Sequence, residues 1–174
     1  MLCCSKGGMR VAAVRVLLVA AVAANGLLAG ATLDQAIKQL PARHRIGVAA
    51  FSAYGQAADL SSGVAWYPIL GIGTAVLTLA AVVAGLRARP RGLARRALWV
   101  AAAATVGHMA VTAVAAPVNF SQRHAHTVAG LTRVFDTFER LNAVRAGLQV
   151  IALVAVAIAA LARLRAVDAG SAAR

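Results

Sequence analysis

The chain has 174 residues and a formal net charge of +13, and 61% of its residues are hydrophobic. A mean hydropathy of +0.76 is too apolar for a water-soluble domain of this size, which excludes the soluble enzyme and free binding-module classes. The basic residues lie in short segments beside apolar runs and not on one folded basic face, which argues against nucleic acid as a partner.

Residues 1–10 read as a short cytoplasmic tail containing the only two cysteines, Cys3 and Cys4. Adjacent cysteines on such a tail are poor candidates for a structural disulfide. Acylation of the pair, an unstructured tail, and a start at Met9 remain alternative readings.

The first apolar run, 11–33, follows Lys6 and Arg10 in the manner of a signal peptide. Its apolar stretch is longer than an h-region, and GLLAGATLD is a weak cleavage match, so it is read as a retained span. It contains a GxxxG at Gly26 and Gly30, which is expected to pack close against another helix of the same chain in preference to a dimer seam.

The segment from Asp34 to Gly63 is expected to form one or two short interfacial helices around Pro41, lying on the outer surface as a lid. Spans 64–86 and 97–118 follow as an antiparallel hairpin closed by RARPRGLARR. That turn carries Arg87, Arg89, Arg91, Arg95 and Arg96 without an acid.

After Pro117 a polar stretch with His124 and His126 turns into a helix near Val128 that runs on into the fourth span, 144–164. An HxH pair needs further ligands to hold a metal, and Asp136 and Glu139 lie on unsuitable faces, so no metal is assigned. Arg133, Asp136 and Arg140 have the spacing of a solvated ion-pair ladder. Residues 165–174 read as a second cytoplasmic tail.

These elements predict one membrane domain, 11–164, an all-α transmembrane four-helix bundle. The arginine bias places both termini and the RARPRGLARR turn in the cytoplasm, as expected for a multi-pass protein of a bacterial plasma membrane. The lipid bilayer is the one partner that composition assigns.

Two polar stripes enter the apolar spans. At about 100° per residue, Phe138, Asn142, Arg145 and Gln149 fall within roughly 60° of one another, as do Thr105, His108, Thr112 and Asn119. Asn25 adds an amide to the first span. At about 1.5 Å of rise per residue, Arg145 lies a few Å below the outer boundary, Thr112 and Gln149 roughly 10 Å, Asn25 roughly 12 Å and His108 roughly 15 Å.

Matched depths suggest a polar-floored pocket that opens toward the outside and takes a small aromatic or lipophilic molecule. Each residue also has a purely structural reading. The threonines can bond their own backbone, Asn25 and Gln149 can act as interhelical glue, and Arg145 can snorkel to headgroups. His108 can be a packed neutral histidine, although ionisable groups within membranes are candidates for function.

In a catalytic reading His108 is the base, Arg145 with Asn142 stabilises an oxyanion, and Asn25, Thr112, Asn119, Phe138 and Gln149 contact the substrate. No HExxH, CxxC, P-loop or GxSxG is present, and no cofactor is assigned.

At Pro117-Val118-Asn119 and at the FxxxNxxR of Phe138, Asn142 and Arg145, the sequence resembles the DUF1772 family of four-span membrane proteins, also called anthrone oxygenase-like. NGLLAG at 25–30 and the length of the first loop extend the resemblance over about 11–162. The family commonly has Trp where Phe138 stands and a proline soon after span one, where this chain has only Pro41. The resemblance therefore points to a divergent branch. It implies a four-span fold and, from some fungal relatives, cofactor-free oxygenation of anthrones to anthraquinones, whereas most bacterial members have no assigned role.

The arginine bias makes the topology testable. A reporter fused after Arg174 should be cytoplasmic and one inserted near Ala57 external; reversed labelling would invert the depths of all these polar residues.

Overall fold

Four stretches are long and apolar enough to cross a bilayer: Ala12–Ile46, Gly63–Arg87, Gly92–His124 and Val128–Arg165, of 35, 25, 33 and 38 residues. A bilayer needs about 20 residues of helix, so three of the four run well past the hydrocarbon. The computed structural model describes residues 5–172, with side chains from 12 to 165 except at 62. Cys3, Cys4 and Arg174 lie outside the described residues.

Helix α1, Ser5–Asp34, continues through a π-helical turn at Gln35–Gln39 into α2, Leu40–Ile46. Pro41 explains the wide turn: it has no N–H to offer four residues back, and its ring crowds the carbonyl there, so the preceding backbone loosens. Gly47, at φ 85°, makes the reversal. Helix α3, Val48–Ala57, then passes through a second π turn at Ala58–Ser62 into α4, Gly63–Arg87. Helix α5, Gly92–Phe120, ends in a 3-10 turn at Ser121–His124, and α6, Val128–Ala172, completes the chain. The described residues are all helix and connections, and the chain is a multi-pass α-helical membrane protein.

The segment between the first two spans is thus a helical hairpin continuous with both spans, not a pair of interfacial helices lying flat. It is held by α6. Arg43, 5% exposed, donates from Nη2 to Asp136 Oδ1 at 3.0 Å and to Glu139 Oε2 at 2.6 Å. Phe51 meets Phe135 edge-on at 5.0 Å between ring centroids. The expected ladder of Arg133, Asp136 and Arg140 is replaced for this reason: α2 delivers Arg43 onto that face, and Asp136 turns to it.

Two apolar clusters close the bundle at its ends. At the end bearing the arginine turn, Leu18, Ala21, Ala81, Val82, Leu98 and Val156 pack together. At the opposite end, the loop end, Leu40, Phe51, Ala115, Leu131, Phe135 and Phe138 do the same. Between them lies a polar clasp. The Asn25 amide donates to Thr78 Oγ1 at 2.7 Å and to Ala21 O at 2.7 Å, and Gln149 Nε2 donates to Asn25 Oδ1 at 2.8 Å. Thr78 passes its own proton to Thr74 O at 2.7 Å, so one connected set ties α1, α4 and α6.

The glycine expectation is corrected. A Cβ at Gly26 or Gly30 would meet nothing within 4 Å, because α1 turns that face away from its neighbours. The close helix approach is at Gly85, where a Cβ would stand 3.0 Å from Leu98 Cδ1. Gly85→Val should therefore cost about 1–3 kcal/mol through overpacking. Gly30→Leu should leave the detergent melting temperature unchanged, and the opposite order of effects would mean that α1 and α4 turn different faces to the bundle.

Candidate functional site

At the level of the loop-end half of the spans, the four helices separate around a cavity of about 300 Å³. Its walls are mostly apolar, and the polar residues are few: Thr32, Gln35, Asp59, Tyr67, His108, Thr112, Asn119 and Arg145. Five of the residues singled out from sequence line it, namely His108, Thr112, Asn119, Phe138 and Arg145.

Three do not. Asn25 and Gln149 are bonded to each other in the clasp, where Asn25 finds partners on two other helices. Asn142 is fully buried one turn before Arg145, and its Oδ1 accepts from Arg145 Nη2 at 2.6 Å. It supports the guanidinium and has no face on the cavity, which removes it from direct contact with a substrate. Its Nδ2 has no partner among the described residues.

Arg145 turns inward and does not snorkel. It starts on the same helical face as Gln149, one turn away, and that face is held against α1. Nη2 also donates to Gln35 Oε1 at 2.8 Å, and the guanidinium carbon stands 5.8 Å from the Phe138 ring centroid. Gln35 is supplied by the first π turn, a backbone feature that recurs at functional sites. Nε has no partner, and no carboxylate pairs with Arg145 among the described residues.

His108, 4% exposed, places Nδ1 3.1 Å from the Arg145 backbone carbonyl. A carbonyl only accepts, so Nδ1 carries the proton, and Nε2 is left with a lone pair in the neutral ring. One histidine thus reads the backbone of the residue whose side chain supplies the cavity's positive charge. Thr112 donates to His108 O at 2.8 Å, the self-bonding role open to it from sequence. Thr105 does not share that role, since its hydroxyl has no partner. Asn119 Oδ1 accepts from Gln122 Nε2 at 2.9 Å, fixing the rim where α5 ends.

Four polar cavity residues escaped the sequence reading: Thr32, Gln35, Asp59 and Tyr67. Asp59 is one of only five acids in the chain and stands next to an apolar span, a signal present in the sequence. The Tyr67 hydroxyl donates to Asp59 Oδ1 at 3.3 Å. Burial pushes the Asp59 carboxyl above the usual range, and the tyrosine bond only partly opposes this.

The loop-end histidines gather no metal set. Asp136 and Glu139 are engaged by Arg43, and no group of three His, Cys, Asp or Glu side chains suited to a metal ion exists among the described residues.

Fold and site together define a multi-pass helical membrane protein with a cavity inside the bundle, walled by apolar side chains and marked by one unpaired guanidinium. No protein-family model, curated protein or solved structure matches the chain.

The half-buried carboxyl of Asp59 yields a pH prediction. Folded Asp59 holds its proton more tightly than the unfolded chain does, so its contribution to stability falls as pH rises above the unfolded value of about 3.9. Asp59→Asn, which keeps an acceptor for Tyr67, should raise the melting temperature at about pH 8. The gain should vanish near about pH 3, where the wild-type carboxyl is protonated in both states.

Proposed function

We propose that this protein binds a small lipophilic molecule whose oxygen-bearing polar end sits at Arg145. The observation that carries this reading is the unpaired guanidinium in an apolar cavity. A cation withdrawn from water without a carboxylate has lost hydration that neutral Gln35 and Asn142 only partly replace, and a ligand oxygen would complete the set. The cavity lies at the small end of the range for ligand sites, which suits a compact molecule. With the arginine turn in the cytoplasm of a bacterial plasma membrane, the cavity occupies the outer half of the bilayer.

A second reading is favoured by one specific observation, the presence of His108 and Arg145 on the same wall. In it the protein is a cofactor-free oxygenase of an electron-rich, anthrone-like aromatic, the activity implied by the resemblance to the DUF1772 family. His108 Nε2 removes a proton from the ring methylene, and the charge delocalises onto an oxygen held by Arg145. The carbanion then reacts with dioxygen to a hydroperoxide, which loses water to leave a ketone. Dioxygen is the oxidant, one atom entering the product and one leaving as water.

Lipid-extracted, purified protein examined by mass spectrometry should yield one recurrent small molecule carrying an acidic or carbonyl oxygen. Arg145→Lys keeps the charge but not the planar fork, and should reduce retention of that molecule roughly tenfold or more. Equal retention by Arg145→Lys would remove Arg145 from the binding role.

A further inference from the structure

The cavity is walled unevenly. Apart from Gly63 at its start, helix α4 buries Thr74, Ala75, Thr78, Ala81, Val82 and Gly85, none of them before Thr74. Between Val64 and Gly73, the stretch that borders the cavity, it has no buried residue. Pro68 in that stretch has no N–H to donate to the Val64 carbonyl, which weakens the helix where it stands away from its neighbours.

Across the cavity α5 presents Met109 and Phe120 at the two ends of its wall and, between them, the small side chains Thr112, Ala113 and Ala116, of which Ala113 is exposed. The α4 side of this gap is apolar, with Val64 42% and Ile72 52% exposed on the cavity wall. A gap edged by exposed aliphatic side chains at the level of the spans faces hydrocarbon and not water.

The loop end is closed by comparison. Leu60 is buried on the cavity wall, and the Arg123 guanidinium donates to its carbonyl at 2.6 Å. That carbonyl lies in the second π turn, where the helical ladder is loosened. Gln122 is buried, accepts from Ser52 at 3.1 Å, and packs close to Gly55, whose Cβ would come within 3.3 Å of Gln122 Oε1.

We propose that the cavity is a membrane-loaded site for a single-chain amphiphile with a monoanionic oxygen headgroup. The headgroup pairs with Arg145, and the chain leaves sideways between α4 and α5 into the bilayer. This rests on the binding role proposed for Arg145 and adds the route and the ligand class. A cavity of about 300 Å³ holds a headgroup and a short length of chain, so a longer chain has to project through the gap. Two acyl chains do not fit the same space. Charge selects the anion: Asp59, the one carboxylate side chain lining the cavity, is bonded by the Tyr67 hydroxyl, and no carboxylate pairs with Arg145 among the described residues.

The test uses the full chain in detergent and native mass spectrometry with two probes, octanoate, short enough to lie inside, and oleate, which has to project. Wild type should retain one molecule of either. Ala113→Trp on α5 and Gly71→Leu on α4 narrow the gap from opposite walls, and a Cβ at Gly71 meets nothing within 4 Å, so folding is preserved in at least that variant. Both should lose oleate by roughly tenfold or more while retaining octanoate, and Arg145→Gln should lose both probes. Octanoate bound through Arg145 with oleate excluded, or oleate retained equally by both gap variants, overturns the lateral route and leaves the Arg145 site standing. Retention of methyl oleate as strongly as oleate overturns the headgroup pairing. Failure of wild type to retain either probe overturns the anionic ligand together with the binding role of Arg145.

Discussion

The amide of Asn25 is the constraint on which the rest of the bundle depends. A carboxamide only 1% exposed within apolar helices has no water to bond, and leaving it bare would be costly. Thr78 of α4 and Gln149 of α6 meet that need. Apolar packing in lipid is indifferent to small rotations of a helix, but a hydrogen bond is not, so the clasp sets the rotation of three helices at once. Once Gln149 is turned to Asn25, the residue one turn earlier on α6 is also turned inward. That residue is Arg145, and its inward direction makes a charged cavity out of what would otherwise be a seam between helices.

A guanidinium placed there has to be supported. Asn142 does so from the same helix and Gln35 from the π turn that ends α1, both through carbonyl oxygens and without charge. A carboxylate in either place would form an ion pair and leave nothing for a ligand. The two neutral partners orient the fork and leave its charge unpaired, in contrast to Arg43 with its two acids.

The two π turns serve the same region. Each falls at the loop end of a span, and each delivers cavity residues: Gln35 from one, Asp59 and Leu60 from the other. A regular helix through either point would rotate everything after it by a fraction of a turn, displacing the hairpin that Arg43 and Phe51 anchor to α6. Cavity and hairpin are therefore linked through backbone geometry as well as through side chains.

The sequence by itself determined the elements whose cause is local. Four spans follow from apolar length, and the gathering of His108, Thr112, Asn119, Phe138 and Arg145 follows from helical periodicity and a count of residues from the boundary. Asn25 and Gln149 share the expected layer but sit in the clasp, because periodicity gives a face and cannot say whether that face meets an amide or a space. The tertiary structure decided what depends on a partner distant in the chain. The segment after the first span became a helical hairpin because α6 offered Asp136, Glu139 and Phe135 to it. Gly26 and Gly30 were left outward because the Asn25 clasp had already chosen the inward face of α1. Gln35, Asp59 and Tyr67 joined the cavity because the hairpin brought them there, and no period along a single helix relates them to Arg145.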